Sequence, residues 1–320
     1  METLEQLSQT LESLDDLRSI VRTMKALAAA SIRQYERAVE SLEHYSRTVD
    51  LGLHVVLREM PEPMTSSRRT HGPIGVVVFG SDHGLCGRFN EELAGFVHEH
   101  VRARAEAETV RVLVIGARMT PLIEASDLTV DSTLPVPGSA ARITALVDKI
   151  LLTLDTWQAK AAVVGVHLFY NRRRARSRLH PTAQRLLPVD LRHFRRLEEE
   201  PWPSRVLPTF SMDRERLFTA LVRQYLFVSL FRACTESQAA EHASRLSAMQ
   251  SASRNLDDRQ TELIAEFRRR RQEVITAELL DVVSGYQALS ATRRNQTSQD
   301  PGSEPGSRLT GDAGSAADWA

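Results

Sequence analysis

The sequence predicts an α/β domain set between two long helices, one at each end of the chain, that fold back on each other as an antiparallel coiled coil. Three observations carry this. Residues 213–284 contain neither proline nor glycine and read as one uninterrupted helix. Residues 4–58 form a second helical run at the start of the 320-residue chain. Between them, strand-like and helix-like segments alternate at crossover spacing. A helix of roughly 72 residues at about 1.5 Å per residue is about 108 Å long. A domain of this size needs no such helix for its own core, so the rod is expected to reach into something else.

In chain order, the first helix carries an apolar stripe: Leu4, Leu7, Leu11, Leu14, Leu17, Val21, Met24, Ala28, Ile32, Tyr35, Val39, Leu42, Tyr45 and Val49. Steps of three and four residues make a narrow seam, the pattern of a helix packed along one partner helix. Pro61 and Pro63 end the run, giving a coiled-coil segment of residues 1–60. From Gly72 to about Pro188 the pattern changes. Residues 73–80 (PIGVVVFG), 110–116 (VRVLVIG) and 161–170 (AAVVGVHLFY) read as buried strands. Residues 91–108 and 139–157 read as helices. This predicts a parallel-sheet, Rossmann-like α/β domain over residues 72–208, with 171–208 extended or irregular at its edge. The second long helix, in a segment of residues 209–290, begins apolar and turns sparse in its middle, at Ala239, Ala243, Leu246, Met249 and Ala252. Small residues there would let two helices approach closely. Gly285 reads as a helix end. Residues 291–320, rich in Gly, Ser, Pro and Asp, read as a disordered tail.

Composition excludes several classes. Acidic and basic residues cancel at 41 each, so no global field draws the chain to nucleic acid or anionic lipid. Two cysteines, Cys86 and Cys234, make no disulfide framework. No apolar run reads as long enough to span a bilayer, and the acidic N-terminus is unlike a signal peptide.

The local motifs have bland readings. Ser81-Asp82-His83-Gly84-Leu85-Cys86-Gly87 sits between a strand and a helix, where glycine-rich loops can hold phosphate. It lacks both the Gly-Lys-Ser/Thr ending and a Gly-x-Gly-x-x-Gly pattern, so it reads as a tight turn. Asp82 reads as a turn or helix cap, and Cys86 as a buried thiol without a positioned base. His98 and His100, two apart on a helix, point to different faces and read as solvated surface. Arg268, Arg269, Arg270 and Arg271 are spread around a helix, a ring of charge suited to acidic surfaces on several sides or to local ion pairs. The arginines between Arg172 and Arg178 are similarly open.

Taken together, the two ends and the glycine turn resemble the gamma subunit of F-type ATP synthase. The resemblance rests on Thr23-Met24-Lys25-Ala26-Leu27-Ala28-Ala29-Ala30, on residues 81–90 (SDHGLCGRFN), on residues 241–249 (EHASRLSAM) with Asn255, and most specifically on residues 271–285 (RQEVITAELLDVVSG). It covers residues 1–290. Ser31 stands in place of the family's usual lysine, His83 in place of a basic residue, Arg88 and Phe89 in place of Gly and Leu, and Arg268 in place of Asn. The tail runs past the family's usual end. These departures are those of a divergent bacterial branch, of the kind found among alternate ATP synthases.

The resemblance implies a non-catalytic rotor shaft with no cofactor and no metal. Its partners would be the alpha and beta subunits of a catalytic hexamer, the epsilon subunit and the membrane c-ring, at the cytoplasmic face of a bacterial membrane. Met24 and Lys25 would meet the moving lever of a beta subunit. Arg245, Met249, Arg271, Gln272, Thr276 and Glu278 would line the second helix inside the ring. Phe210, Ser211, Met212 and Asp213 would lie at the c-ring, and Ser81, Asp82, Gly84, Leu85, Cys86 and Gly87 form the family's turn. The rival reading from the residues alone is a coiled-coil adaptor or signalling protein with an α/β domain.

Overall fold

The computed structural model describes residues 3–58, 72–105, 109–174, 178–190 and 208–297. Helix α1 (Leu4–Arg58) opens with a reciprocal capping box, Gln6 N–H donating to Thr3 Oγ1 and Thr3 N–H to Gln6 Oε1. The domain then runs β1 (Ile74–Phe79), α2 (Phe89–Ala105), β2 (Val110–Ile115), α3 (Thr120–Glu124), β3 (Val130–Leu134), α4 (Ile143–Ala161), β4 (Gly165–Arg174) and β5 (Arg178–Leu187). Helix α5 (Arg214–Thr297) closes the described chain. Asp213 caps its start through Arg216 N–H at 3.1 Å.

The sheet order is β3-β2-β1-β4-β5. The first four strands are parallel and β5 is antiparallel to β4. Strand alternation sorts the side chains into two cores. Val77, Phe79, Leu113, Ile115, Leu168 and Tyr170 face α4 and part of α5. Val76, Val78, Val112, Val114 and Phe169 face α2 and α3. Both faces are covered, as a parallel sheet requires.

The terminal helices run antiparallel. Arg18 pairs with Asp257 at 3.0 Å, the Tyr35 and His242 rings stack at 5.6 Å, and Tyr45 donates to Gln224 at 2.8 Å. As one residue number rises its partner's falls. Leu42, Val49, Leu53 and Leu57 pack on Val228, with Phe218, Leu221, Val222 and Tyr225 beside them. The predicted seam holds at Leu7, Ala28, Ile32, Tyr35, Leu42 and Val49, which are buried, but Leu17 and Tyr45 are exposed. By contacts, Leu14–Asp258 form one compact unit, and Met1–Ser13 with Arg259–Ala320 form another. In the smaller unit Leu7 and Leu263 are buried, at 0% and 2% exposed.

Several expectations need correction. Residues 171–174 and 178–187, expected to be extended or irregular, are strand: β4 continues to Arg174 and β5 runs antiparallel beside it, so the sheet is mixed rather than all parallel. Gly285 does not end α5, which continues to Thr297. An interior glycine costs about 1 kcal/mol relative to alanine, which weakens a helix of this length without ending it. The assignment of 291–320 as tail therefore begins inside a helix, and residues 298–320 lie outside the described residues. The apolar first part of α5 also gives an 18-residue window with mean hydropathy 1.3, enough by length and composition to cross a membrane, although no such run was read from the sequence. Val228, Leu230, Ala233 and Cys234 of this part are buried in the domain core.

Two glycines give opposite expected outcomes. A Cβ on Gly75 would lie 2.8 Å from the Trp157 ring, whereas nothing lies within 4 Å of one on Gly95 in α2. Gly75→Ala is expected to lower stability by about 1–3 kcal/mol, and Gly95→Ala to raise it by about 0.5–1 kcal/mol. Urea midpoints of the two variants measure both.

Candidate functional site

In open α/β sheets, ligands enter the crevice at the carboxyl ends of the strands, where the connections diverge in opposite directions. Here the divergence lies between β1 and β4. The residues that follow β1, 81–88, form the turn singled out in the sequence, and α5 lies against it.

The turn is braced on three sides. Asn90 at the start of α2 accepts from Ser81 N–H at 3.1 Å and donates to Ser81 Oγ at 2.8 Å. Ser81 Oγ donates to His83 carbonyl at 3.0 Å. The Asp82 carboxylate accepts from Ala117 N–H at 2.9 Å and Val136 N–H at 2.8 Å, tying together the segments that follow β2 and β3. Asp82 therefore caps backbone groups distant in sequence rather than its own turn. Gly116 has φ +107° and its backbone lies so close to Ser81 that a Cβ there would sit 2.7 Å from Ser81 N. Gly87 has φ +62°, a conformation favouring glycine, with Ser244 Oγ beside it.

The third side is α5. Ser237 Oγ donates to the carbonyl of Phe79, the last residue of β1, at 3.1 Å. One turn on, Ala240 packs on Cys86 and Phe89. Ser244 Oγ donates to Cys86 carbonyl. Arg245 Nη2 is 2.7 Å from Glu241 Oε1, and reaches the carbonyls of His83 at 3.3 Å and Gly84 at 3.4 Å. Both partners of this ion pair are buried, and Gln238 donates to the other Glu241 oxygen at 3.2 Å. The helix thus fills the place a ligand would take in an open sheet of this kind.

Burial governs the titration of this region. Desolvation raises the proton affinity of the Glu241 carboxyl, with Arg245 opposing it. Burial pushes the Cys86 and Cys234 thiols up, away from thiolate character. The Tyr35 hydroxyl, pushed up to about 12 by burial, donates to Pro137 carbonyl at 3.3 Å. His242 is lowered to about 4, first by burial and then by the Arg245 charge.

The sequence-predicted residues divide in two. Met24 and Lys25 are half-buried on α1; Arg271, Gln272, Thr276 and Glu278 are exposed on α5. Ser211, Met212 and Asp213 are exposed ahead of α5, with Phe210 half-buried. Arg245 and Met249, expected to line a partner ring, are instead turned inward, at 7% and 4% exposed. The guanidinium of Arg245 is used by its own chain. Ser81 and Cys86 are buried, while Leu85 is exposed in a left-handed conformation of φ +61°.

Two arginines of β4 form ion pairs within the chain: Arg172 with Glu236 of α5 at 3.3 Å and Arg173 with Glu36 of α1 at 2.7 Å. His100 is not simple surface; its ring lies 4.0 Å from that of Phe96, centroid to centroid. Sequence reasoning missed Ser237 and the role of Ser244. Their signal was polar residues at helical spacing, Ser237, Glu241 and Ser244, on one face of α5.

Comparisons with known proteins follow the same outline. The family model described as ATP synthase matches residues 3–289. The ATP synthase gamma chain of Mycobacterium leprae is 30% identical over 307 residues, covering 91% of this chain and 99% of that one. That of Rhizobium johnstonii is 27% identical over 90% of this chain and 100% of its own length. Among solved structures, a chain of the Euglena gracilis mitochondrial ATP synthase, in a structure described as OSCP, F1 and c-ring, superposes with TM-score 0.61 at 18% identity. It covers 91% of this chain and 95% of that one. At that identity it speaks to the fold.

Removing Arg245 alone strands a buried carboxylate. Arg245→Met is expected to cost about 3–5 kcal/mol, and adding Glu241→Gln to recover part of it; denaturant unfolding of both variants measures the difference. Because the folded chain holds His242 neutral down to about 4 while the unfolded chain protonates near 6.5, the unfolded state binds more protons between those values. Stability should therefore rise with pH across pH 4 to 6.5, with His242 contributing up to about 3 kcal/mol. His242→Gln should flatten that slope in urea titrations and leave stability at pH 8 little changed.

Proposed function

We propose that this chain, which belongs to the ATP synthase gamma family, is the central shaft of an F-type ATP synthase and couples ion flow through a membrane c-ring to conformational cycling of catalytic sites on beta subunits. The observation that carries the proposal is the last stretch of α5. Every residue from Arg271 to Ser290 is exposed. Among them Ile275, Leu279, Val282, Val283, Tyr286 and Leu289 recur at steps of one, three and four. At 3.6 residues per turn they cover about 120° of the helix. Asp281, Ser284 and Ala288 fall on the opposite side, and the exposed Val274 and Leu280 flank the stripe. A bare apolar stripe of this length in water favours burial by a partner, and its asymmetry favours a partner that reads one side at a time.

The mechanism follows from that asymmetry. Three chemically equal sites around one uneven rod each meet a different face. Each is biased toward a different conformation and affinity. Turning the rod permutes the biases, and the coupling is reciprocal, so hydrolysis can drive the rod and ion flow can drive synthesis. A near-complete population shift requires about 5.5 kcal/mol of differential interaction. The rod must also resist twist at its root. The Arg245–Glu241 pair, with Ser237 and Ser244, supplies that grip by fastening α5 to the sheet.

In this reading the chain is non-catalytic and held at the cytoplasmic face of the bacterial membrane only through its complex. Met24 and Lys25 on α1, and Arg271, Gln272, Thr276 and Glu278 on α5, contact the alpha and beta subunits. The residues 210–213 meet the c-ring, and the epsilon subunit lies beside the α/β domain. Arg245 and Met249 position the shaft rather than touch the ring.

Co-expression with alpha and beta subunits should give a complex in which this chain is present once per hexamer; a stable self-assembled dimer that ignores them would favour an adaptor and overturn the reading. Within that complex, Arg271→Ala with Gln272→Ala should lower ATP-driven ion pumping in membrane vesicles. Both residues are exposed, so the melting temperature of the isolated chain should be unchanged. An unaltered pumping rate would remove these two residues from the contact.

A further inference from the structure

Where α1, β4, β5 and α5 meet, the larger unit contains a polar cavity of about 260 Å³. The proposed coupling makes no use of it. Its wall carries Asp50 from α1, Tyr170 and Arg172 from β4, Gln184 from β5, and Arg232 and Glu236 from α5. It is far larger than the roughly 10–15 Å³ that admits one water. It is smaller than the range of about 300–1,000 Å³ typical of pockets for drug-sized ligands.

Two buried polar atoms of this cavity, one donor and one acceptor, lack an aligned hydrogen bond. Arg232 Nε is buried and has no hydrogen-bond partner. Arg172 Nε lies 3.3 Å from Glu236 Oε2, yet that oxygen makes no aligned hydrogen bond. The Tyr170 hydroxyl donates to Gln184 Oε1 at 3.3 Å, which leaves the Gln184 amide N–H groups for another acceptor. A buried donor without a partner needs an explanation in a folded chain. A guanidinium offers five N–H donors in a planar fork that matches a phosphate or carboxylate edge. Two such forks share one cavity with the carboxylates of Glu236 and Asp50. The Glu236 carboxylate is itself held toward its protonated form, because burial outweighs the pull of Arg172 and Arg232.

We propose that this cavity binds a small inorganic oxyanion of the phosphate class, gripped by Arg232 and Arg172 with Gln184 beside them. The anion would take the place of Glu236 as acceptor for the two guanidiniums. Asp50, on the same wall, sets a limit on the charge the site tolerates and favours a small ion over a polyanion.

The test is titration calorimetry of the full chain with sodium phosphate, against sodium chloride at matched ionic strength. Saturable binding of phosphate but not of chloride is expected. Arg232→Gln should weaken it by about tenfold or more, the loss of one charge-assisted contact. Glu236→Gln, which removes the competing carboxylate, should tighten it several-fold. Arg172 has a largely exposed side chain, so Arg172→Gln provides a second weakened variant that does not depend on Arg232→Gln folding well; circular dichroism melts confirm folding in each. No saturable heat with phosphate, equal heats with chloride, or binding unchanged in both arginine variants would overturn the proposal. Tighter, Arg232-dependent binding of ADP than of phosphate would overturn the assigned ligand class.

Discussion

The seating of α5 in the crevice at the carboxyl ends of the strands is the constraint on which the rest of the structure depends. A sheet with β1 at its centre offers an open cleft there, and the turn of residues 81–88 would be free to cradle a ligand. Instead Ser237 takes the carbonyl at the end of β1, and Ser244 and Arg245 take carbonyls of the turn. The turn's polar groups are thereby committed to a helix of the same chain. Asp82 then extends the brace to the segments after β2 and β3. One helix position is thus fixed by contacts at the end of β1 and along the turn, and a rotation of α5 about its axis breaks several of them together.

The choice of an ion pair for this seat has a physical logic. A buried pair contributes little net stability, because desolvation offsets the Coulomb gain. Its effect on register is larger. An apolar patch tolerates sliding by a residue, since one methyl replaces another at small cost. Arg245 must satisfy Glu241 and two loop carbonyls from one planar group, and only one register does so. For a helix of 84 residues, an error of one residue at the root displaces everything beyond it by about 1.5 Å and turns it by about 100°.

The fold was legible where burial is uniform and obscure where it is not. β1, β2 and β4 announce themselves through valine and isoleucine runs because both sheet faces are covered. β3, with the sequence VDSTL and mostly exposed, carries no such run. β5 contains Arg178, His180, Pro181 and Arg185, residues an edge strand accepts but a central strand does not, so its sequence looks like loop. Gly285 misled for a different reason: a single glycine weakens a helix without stopping it. At the site, the turn was visible as a motif, but its commitment to α5 was not. That depends on isolated serines, whose contacts span about 158 positions in sequence, and no local pattern encodes such a distance.

The inward turn of Arg245 and Met249 changes how the shaft is divided. The stretch of α5 around Ala240 is matched to the sheet, and its charged and sulfur-bearing side chains are spent on that match. The stretch from Arg271 to Ser290 is exposed on all sides and concentrates its apolar residues on one of them. These two demands conflict within a single segment, because a face buried against the chain's own domain is unavailable to partners. A long continuous helix resolves the conflict by separating the two roles along its length. Absence of proline from end to end then matters more than the identity of any one residue between them, since a proline would interrupt the helix that carries both stretches.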